Sequence, residues 1–276
     1  MTSEERKHTP QALIITGYGL NCENETACAF RRAGAEVTFV HLKDLLGARL
    51  DLQTFHILAL VGGFSFGDHL GAGTVFANRI KYRMQEELKT FVDTGGLVIG
   101  ICNGFQTLTR LGLVPGFGEE DMFRQRVALA ENEQGVFRDA WISVAPAPES
   151  PCVFTQNISS MPLPVRHGEG RFIAENDDIL QRLEEKGLVA LRYVDAHGNT
   201  ARSFPDNPNG SVNGIAGICS PSGRVFGLMP HPEAYISPYN HPYWQRRSIA
   251  GDLPNEGRGL EFFRAGVNYV RENVLG

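Results

Sequence analysis

The sequence predicts an α/β fold: a single domain with an open, mostly parallel sheet that helices flank and antiparallel strands extend. Short apolar runs at 12–16, 57–61 and 97–101 alternate with segments of helical spacing, the pattern of a parallel sheet covered on both faces. Residues 126–145 alternate more, with charged residues interspersed, which favours antiparallel strands. No repeat or linker divides the chain, so we expect one domain over 1–276.

The remaining elements follow from the same local rules. Asn24 is expected to cap the first helix and Gly34 to end it. Residues 164–172 are expected to form a strand that leads into a glycine-lined loop, and the last two strands a hairpin about 221–223. We expect helices over 25–33, 74–92, 103–111, 177–186 and 260–272, a short irregular or helical link at 42–50, and further strands at 37–40, 188–194, 215–219 and 225–228.

Composition excludes several classes of function. The net charge of −5 comes with no basic stripe, so we do not expect nucleic-acid binding. No apolar run approaches the roughly 20 residues that span a membrane, and the polar N-terminus lacks a signal-like core. The five cysteines are scattered without a CxxC pair, so we predict no metal site, no disulfide framework and a cytoplasmic location.

A cysteine stands at a sharp strand-to-helix turn. The apolar run 97–101 stops at Cys102, and the next residues have helical spacing. Gly100 and Gly104 remove side-chain bulk beside this turn, which would lift the sulfur out of the sheet. A helix N-terminus also favours an anion. Two interpretations stay open at this point, a nucleophile or a small buried core residue.

A nucleophilic cysteine needs a base, and the base needs an orienting group. His231 follows the predicted strand 225–228, and prolines on both sides restrict its backbone. Glu233 lies two residues further on and is able to bend back to the imidazole and fix its tautomer. A structural histidine in a turn is the alternative, but His231 is the best candidate base in the chain.

Acyl transfer also needs hydrogen-bond donors for the developing oxyanion. The N–H of Asn103 follows the candidate nucleophile directly. A second donor is expected from the end of the neighbouring strand, where glycines let backbone N–H groups approach a ligand. Gly63 and Phe64 both remain open as that donor, and so does the simpler interpretation of a flexible turn.

The motifs together resemble one known family, the class I (triad) glutamine amidotransferases. Within it, they are most similar to the glutaminase subunits of phosphoribosylformylglycinamidine synthases of purine biosynthesis. The likeness covers roughly residues 12–235 in the right order. The segments that carry it are G-Y-G-L-N-C-E at 17–23, G-G-F-S-F-G-D at 62–68, G-I-C-N-G-F-Q at 100–106, R-H-G-E-G-R-F at 166–172, N-P-N-G-S at 207–211 and G-L-M-P-H-P-E at 227–233.

This resemblance implies a flavodoxin-like sheet and a Cys-His-Glu triad. Cys102 would attack the side-chain amide of glutamine, His231 would move protons, and Glu233 would orient His231. Gly63, with Phe64 as the alternative, and Asn103 would supply the oxyanion N–H groups. Gln106 is carried over as a glutamine-binding position. A thioester would form, and water would release glutamate.

The resemblance also implies partners. Ammonia would pass through a tunnel to a larger synthetase subunit that uses ATP and magnesium to convert formylglycinamide ribonucleotide to its amidine, and a small third subunit often bridges the two. This chain itself would carry no cofactor. A glutaminase for another acceptor synthetase and a non-catalytic glutamine sensor are the alternatives. Residues 166–172 are a hypothetical docking or gating loop, with a plain solvated turn as the other interpretation.

One segment departs from the family pattern. Residues 236–258 are rich in aromatics, prolines and charges, and shorter family members reach the last helix sooner. We predict an ordered surface insertion there. His241-Pro242 imitates the motif around His231, but Tyr243 offers no carboxylate, so His231 remains the better candidate.

Overall fold

The strands and helices follow the predicted alternation. A computed structural model describes residues 8–47 and 50–276. The strands in these ranges are β1 Gln11–Thr16, β2 Glu36–His41, β3 Ile57–Leu60, β4 Leu97–Ile101, β5 Val127–Glu131, β6 Arg138–Pro146, β7 Met161–His167, β8 Glu169–Ala174, β9 Val189–Val194, β10 Ile215–Cys219 and β11 Val225–Leu228. The α-helices are α1 Glu23–Ala33, α2 Leu42–Gly47, α3 Thr74–Asp93, α4 Asn103–Leu111, α5 Asp177–Glu185, α6 Trp244–Ala250 and α7 Leu260–Val270.

Nine strands form one sheet in the order β2-β1-β3-β4-β11-β10-β9-β6-β7. The pairs from β2 to β11 are parallel, and those from β11 to β7 are antiparallel. We call β2, β1, β3, β4 and β11 the parallel half and the other four strands the antiparallel half. The expected parallel sheet with an antiparallel extension is confirmed, and so is the β10–β11 hairpin. The last strand of the chain, β11, lies in the middle of the sheet.

The core explains why these segments form strands and helices. Every residue of β3 and β4 is buried, as expected for strands that helices cover on both faces. The helices pack in pairs, α1 with α7 and α3 with α4. Phe30 of α1 meets Phe263 of α7 edge to face at 4.9 Å between ring centroids. Burying each such aromatic side chain contributes roughly 1.5–3 kcal/mol.

The structure differs from the sequence expectations at several boundaries. Residues 164–172 do not form a strand and a loop, because β7 and β8 follow each other directly around Gly168 and β8 pairs with β5 in a separate two-stranded sheet. Cys22, not Asn24, is the N-cap residue of α1. The last helix ends at Val270 and continues as a π-helical turn. Residues 1–7 of the polar N-terminus and 48–49 of the predicted link lie outside the described residues.

The segment 236–258 lies at the surface. It contains a 3₁₀ turn at Pro238–Asn240 and helix α6, which has no buried residue. Arg32 of α1 holds both ends of the segment, through the carbonyl oxygen of Ile236 at 2.6 Å and the carboxylate of Glu256 at 3.0 Å. Across 8–47 and 50–276, no helix is long and apolar enough to cross a membrane.

Candidate active site

Cys102 stands at the predicted turn between β4 and α4. Its backbone is in the left-handed region, with φ at +51°, and it is the N-cap residue of α4. The two flanking glycines are needed for space. A Cβ on Gly104 would lie 1.9 Å from the carbonyl oxygen of Leu60, and one on Gly100 would lie 2.5 Å from Cδ1 of Leu108. The residue is only 5% exposed, and its Sγ lies 3.7 Å from the carbonyl oxygen of Arg166.

His231 and Glu233 meet beside this cysteine. Strand β11 pairs with β4, so the residues after the two strands come together at one edge of the sheet. Nδ1 of His231 is 2.5 Å from Oε1 of Glu233, and both side chains are buried. The N–H of His231 donates to the carbonyl oxygen of Pro164 at 2.8 Å, which fixes the backbone. The sequence therefore identified three side chains that the fold brings together.

The imidazole packs against the end of strand β3. Gly62 has no side chain, and a Cβ there would lie 2.9 Å from Cε1 of His231 and 3.6 Å from Cβ of Cys102. It would also lie 3.2 Å from Sγ of Cys22. Three functional side chains thus converge on the space that Gly62 leaves open.

The charges around His231 favour the imidazolium. Burial lowers the pKa of His231, but the charges of Glu233 and Cys102 oppose this, and the pKa lies well above its ordinary value of 6.5. An imidazolium beside the cysteine sulfur is the state in which a thiolate is stabilised and a proton is ready for a leaving amine. The site is therefore suited to nucleophilic attack followed by protonation of the leaving group.

The backbone N–H groups next to Cys102 fit the expected oxyanion donors in part. The N–H of Asn103 opens helix α4 and has no intrahelical acceptor. Gly63 has φ at +138°, and its N–H donates to no backbone atom of residues 8–47 or 50–276. The N–H of Phe64 donates to the carbonyl oxygen of Gly19 at 2.7 Å. The N–H of Phe64 is thus engaged with the backbone while that of Gly63 is not, and the choice between them as oxyanion donor stays a prediction.

The side chains of Asn103 and Gln106 are buried structural links. The amide of Asn103 donates to Oε1 of Gln106 at 2.8 Å and to Asp68 at 3.2 Å, and it accepts from the N–H of Ser65. The amide of Gln106 donates to the carbonyl oxygen of Glu169 at 2.6 Å. Both groups of the Gln106 amide are thus bonded within the chain. Its role in glutamine binding stays a prediction.

Two acidic residues that sequence reasoning did not single out hold the loop after Gly63. Phe66, Gly67 and Asp68 all have positive φ, so this turn needs external support. Asp68 bonds Asn103 and the N–H of Gly73, and Oε2 of Glu169 accepts from the N–H of Ala72. Both acids lie in motifs noted for their resemblance. Their place in these motifs was the only sequence signal for the two acids, since most of their partners are distant in the sequence.

A second thiol, Cys22, also lies in the site. Its sulfur, a ring nitrogen of His231 and a carboxylate oxygen of Glu233 lie within 4.8 Å of one another. Burial raises the pKa of the Cys22 thiol above its ordinary value of 9.0, so it stays protonated at neutral pH. Its position in the quoted motif 17–23 was the only sequence signal for it.

His167 lies deep in the antiparallel half. Its Nδ1 is 3.0 Å from Oδ1 of Asn132, whose Nδ2 donates to the carbonyl oxygens of Val136 and His167. Because Oδ1 only accepts, Nδ1 of His167 carries the proton. Burial, together with the nearby charge of His231, lowers the pKa of His167 to about 3, so it is neutral. The segment 166–172, for which docking or gating stays a hypothesis, is thus anchored by a buried side chain on β7.

Comparisons with known proteins agree with this geometry. Residues 9–270 match the family described as CobB/CobQ-like glutamine amidotransferase domain. The chain belongs to this glutamine amidotransferase family.

Its relatives define a narrower group. The chain is 40% identical over 273 residues to phosphoribosylformylglycinamidine synthase subunit PurQ of Methanococcus maripaludis, covering 96% of this chain and 99% of that protein. It is 40% identical to the PurQ subunit of Dehalococcoides mccartyi, covering 95% and 98% of the two chains. A chain of the solved structure of PurLQS from Thermotoga maritima superposes with a TM-score of 0.67 and 29% identity over 95% of this chain and 99% of that chain. Within the amidotransferases, the chain belongs to the PurQ family.

Proposed function

We propose that this chain is the glutaminase subunit of a phosphoribosylformylglycinamidine synthase. It hydrolyses glutamine with the triad Cys102, His231 and Glu233 and delivers the ammonia to a synthetase subunit. The observation that carries the proposal is the buried pair of His231 and Glu233, which lies beside Cys102 at the ends of two adjoining strands. PurQ relatives of 40% identity over nearly the whole chain support the pathway.

The triad geometry supports the following reaction. The thiolate of Cys102 attacks the side-chain carbonyl carbon of glutamine, and the N–H groups of Gly63 and Asn103 stabilise the oxyanion. The imidazolium of His231 gives its proton to the departing nitrogen, which leaves as ammonia. His231, now neutral, takes a proton from water as the water attacks the thioester. Glutamate leaves as the bond to sulfur breaks, which restores the thiolate of Cys102 beside the imidazolium of His231.

Glu233 keeps the imidazole in the productive orientation through these steps. Its carboxylate accepts a hydrogen bond from Nδ1–H, so Nε2 is the nitrogen that exchanges protons at the reacting centre. Nε2 is buried and makes no hydrogen bond of good geometry with any described residue. It is therefore available to the thiol, to the leaving nitrogen and to water in turn.

Ammonia is useful to a synthetase only while it remains unprotonated and confined, so we propose that the chain acts in a complex. The partner is a larger synthetase subunit that binds ATP and magnesium, with a small third subunit as a bridge. The superposition on a chain of PurLQS supports such an assembly. All five cysteines are free, which supports a reducing compartment such as the cytoplasm.

Reconstitution tests the proposal. The chain is mixed with its synthetase subunit, and amidine formation is measured with glutamine or with ammonium as the nitrogen source. We expect glutamine to support the reaction, and Cys102→Ala to abolish glutamine use while leaving ammonium use intact. Cys28→Ala, which changes an exposed cysteine of α1, is the matched control. If glutamine does not replace ammonium with the wild-type chain, the pathway assignment fails.

The same variants test the alternative of a glutamine sensor. A sensor would bind glutamine without releasing glutamate, and Cys102→Ala would change neither property. Retention of cysteine, histidine and glutamate in contact favours the enzyme, because a sensor needs no such triad. Release of glutamate from glutamine by the wild-type chain alone or in complex decides between the two.

A further inference from the structure

The proposed reaction uses one thiol, yet two lie against the catalytic imidazole. Cys22 caps helix α1, and its sulfur reaches the space over Gly62 where His231 and Cys102 also converge. The thiol donates to Oδ1 of Asn21 at 3.2 Å. No step of glutamine hydrolysis requires this second sulfur, so its place calls for another account.

We propose that Cys22, His231 and Cys102 form an inhibitory site for a soft divalent cation, with zinc as the representative ion. Sγ of Cys22 and a ring nitrogen of His231 already lie within 4.8 Å of one another, and Cβ of Cys102 lies against the same open space over Gly62. Thiolate and imidazole are the ligands that zinc prefers, and two sulfurs and one nitrogen leave a fourth position for water.

Two buried atoms without partners support the proposal. Nε2 of His231 and Oε2 of Glu233 are both inaccessible to solvent and hydrogen-bond to no described residue. The imidazole is 3% exposed and its Nδ1 is already bonded to Oε1 of Glu233, so Nε2 is the nitrogen that a cation would bind after displacing its proton. In zinc sites, a histidine ligand commonly donates its other ring N–H to a carboxylate, which fixes the orientation of the ring.

Occupation of this site would stop catalysis. The cation would hold the sulfur of Cys102 and the nitrogen of His231, which are the nucleophile and the proton carrier of the proposed reaction. The inhibition, although not the binding itself, rests on the proposed function. This inference revises the sequence-based expectation of no metal site. That expectation rested on the lack of cysteines close together in the sequence, whereas the fold brings Cys22 and Cys102 together.

Binding of zinc alone to the full-length chain tests the site directly. We expect one zinc ion per chain by competition with a chromogenic chelator, and cobalt as a spectroscopic substitute should give the absorption of a thiolate complex. Loss of an outer partner already costs roughly 10- to 100-fold in metal affinity, so Cys22→Ser should weaken binding at least tenfold. Cys28→Ser, on the same helix but exposed, should bind as the wild type does.

Inhibition is then measured against each variant's own metal-free glutaminase rate. Zinc should inhibit the wild type and be reversed by chelator, and Cys22→Ser should need at least ten times more zinc. Cys22→Ala provides a second variant if the serine disturbs folding. Wild-type affinity in both Cys22 variants would overturn the inference even if the enzyme is active. Zinc binding that depends on Cys22, in a chain that shows no glutaminase activity even with its synthetase subunit, would overturn the proposed function and leave the site standing.

Discussion

The parallel and antiparallel halves of the sheet contribute different things to the site. Strands β3, β4 and β11 of the parallel half are followed within three residues by Gly63, Cys102 and His231, the groups assigned to the chemistry. The antiparallel half supplies backbone supports, such as the carbonyl oxygen of Pro164 that accepts from His231. Parallel neighbours present their carboxyl ends at one edge, so three distant segments meet there without a long loop.

This difference predicts which substitutions should lower the rate and which should lower the stability. Changes at the edge of the parallel half should alter the rate of glutamine hydrolysis more than they alter stability. Changes in the antiparallel half should reduce stability first, because buried polar contacts such as that of His167 on β7 with Asn132 hold it in place. The four predictions below run from the largest expected effect to the smallest.

Glu233→Gln should reduce kcat/KM for glutamine by on the order of 10³-fold, since it removes the charge that orients the imidazole. The carboxylate raises the pKa of His231, so its loss should lower that pKa. The imidazolium then disappears at lower pH, and the alkaline limb of the pH–rate profile should move down. The control is Glu272→Gln at an exposed acid, and an identical profile for both variants would contradict the role of Glu233.

Gly62→Ala should reduce kcat/KM by roughly 10²-fold, the effect of displacing a catalytic group by about 1 Å. The new methyl group would lie 2.9 Å from Cε1 of His231 and push the imidazole aside. Steady-state kinetics and thermal unfolding measured together separate rate from stability. Gly118→Ala is the matched control, because a Cβ there meets nothing within 4 Å. Equal rates for the two variants would show that the space over Gly62 is unimportant.

Asn132→Ala should lower the free energy of unfolding by about 2 kcal/mol while changing kcat/KM less than Gly62→Ala does. The asparagine satisfies Nδ1 of His167 and the carbonyl oxygens of His167 and Val136, and the two groups of His167 would lose their partner in a buried place. Denaturant unfolding measures the change. Asn268→Ala, at an exposed asparagine of α7, should be nearly neutral. A loss of activity without a loss of stability would break the comparison between the two halves.

Stability should also fall in acid because of His167. Its pKa is about 3 in the folded chain and 6.5 when unperturbed, so between these values only the unfolded state binds the proton. The free energy of unfolding should therefore decrease by up to about 1.4 kcal/mol per pH unit as the pH drops below 6.5. His167→Gln should lose this part of the slope, and His197→Gln, at an exposed histidine, should keep it. Equal slopes for both variants would refute the assignment.

The sequence predicted the parts of the site that local patterns encode. An apolar run, a cysteine and helical spacing were enough to predict the strand-to-helix turn at Cys102. Two prolines and a nearby acid were enough to identify His231 as the candidate base. The sequence analysis left Gly63 and Phe64 open because the acceptor that engages the N–H of Phe64 is Gly19, which lies far away in the chain. Cys22 escaped for the same reason, since its neighbours come from β4 and β11.

Errors at element boundaries had local physical causes. The glycines at 168 and 170 suggested a loop, but the chain continues as β8, which pairs with β5. A Cβ on Gly170 would lie 2.4 Å from the ring of His167. Glycine there permits close packing and does not break the strand. The prediction of a surface insertion at 236–258 is compatible with an exposed α6, but its role in assembly stays a prediction.

The position of β11 has a consequence for synthesis on the ribosome. This strand emerges last of the eleven described strands, yet it lies between β4 and β10 and pairs the parallel half with the antiparallel half in the described sheet. A nascent chain that has not reached residue 225 therefore lacks the strand that lies between β4 and β10, and it also lacks the general base His231. Translation intermediates should release no ammonia, and a fragment ending at residue 224 should unfold without the cooperative transition of the finished protein.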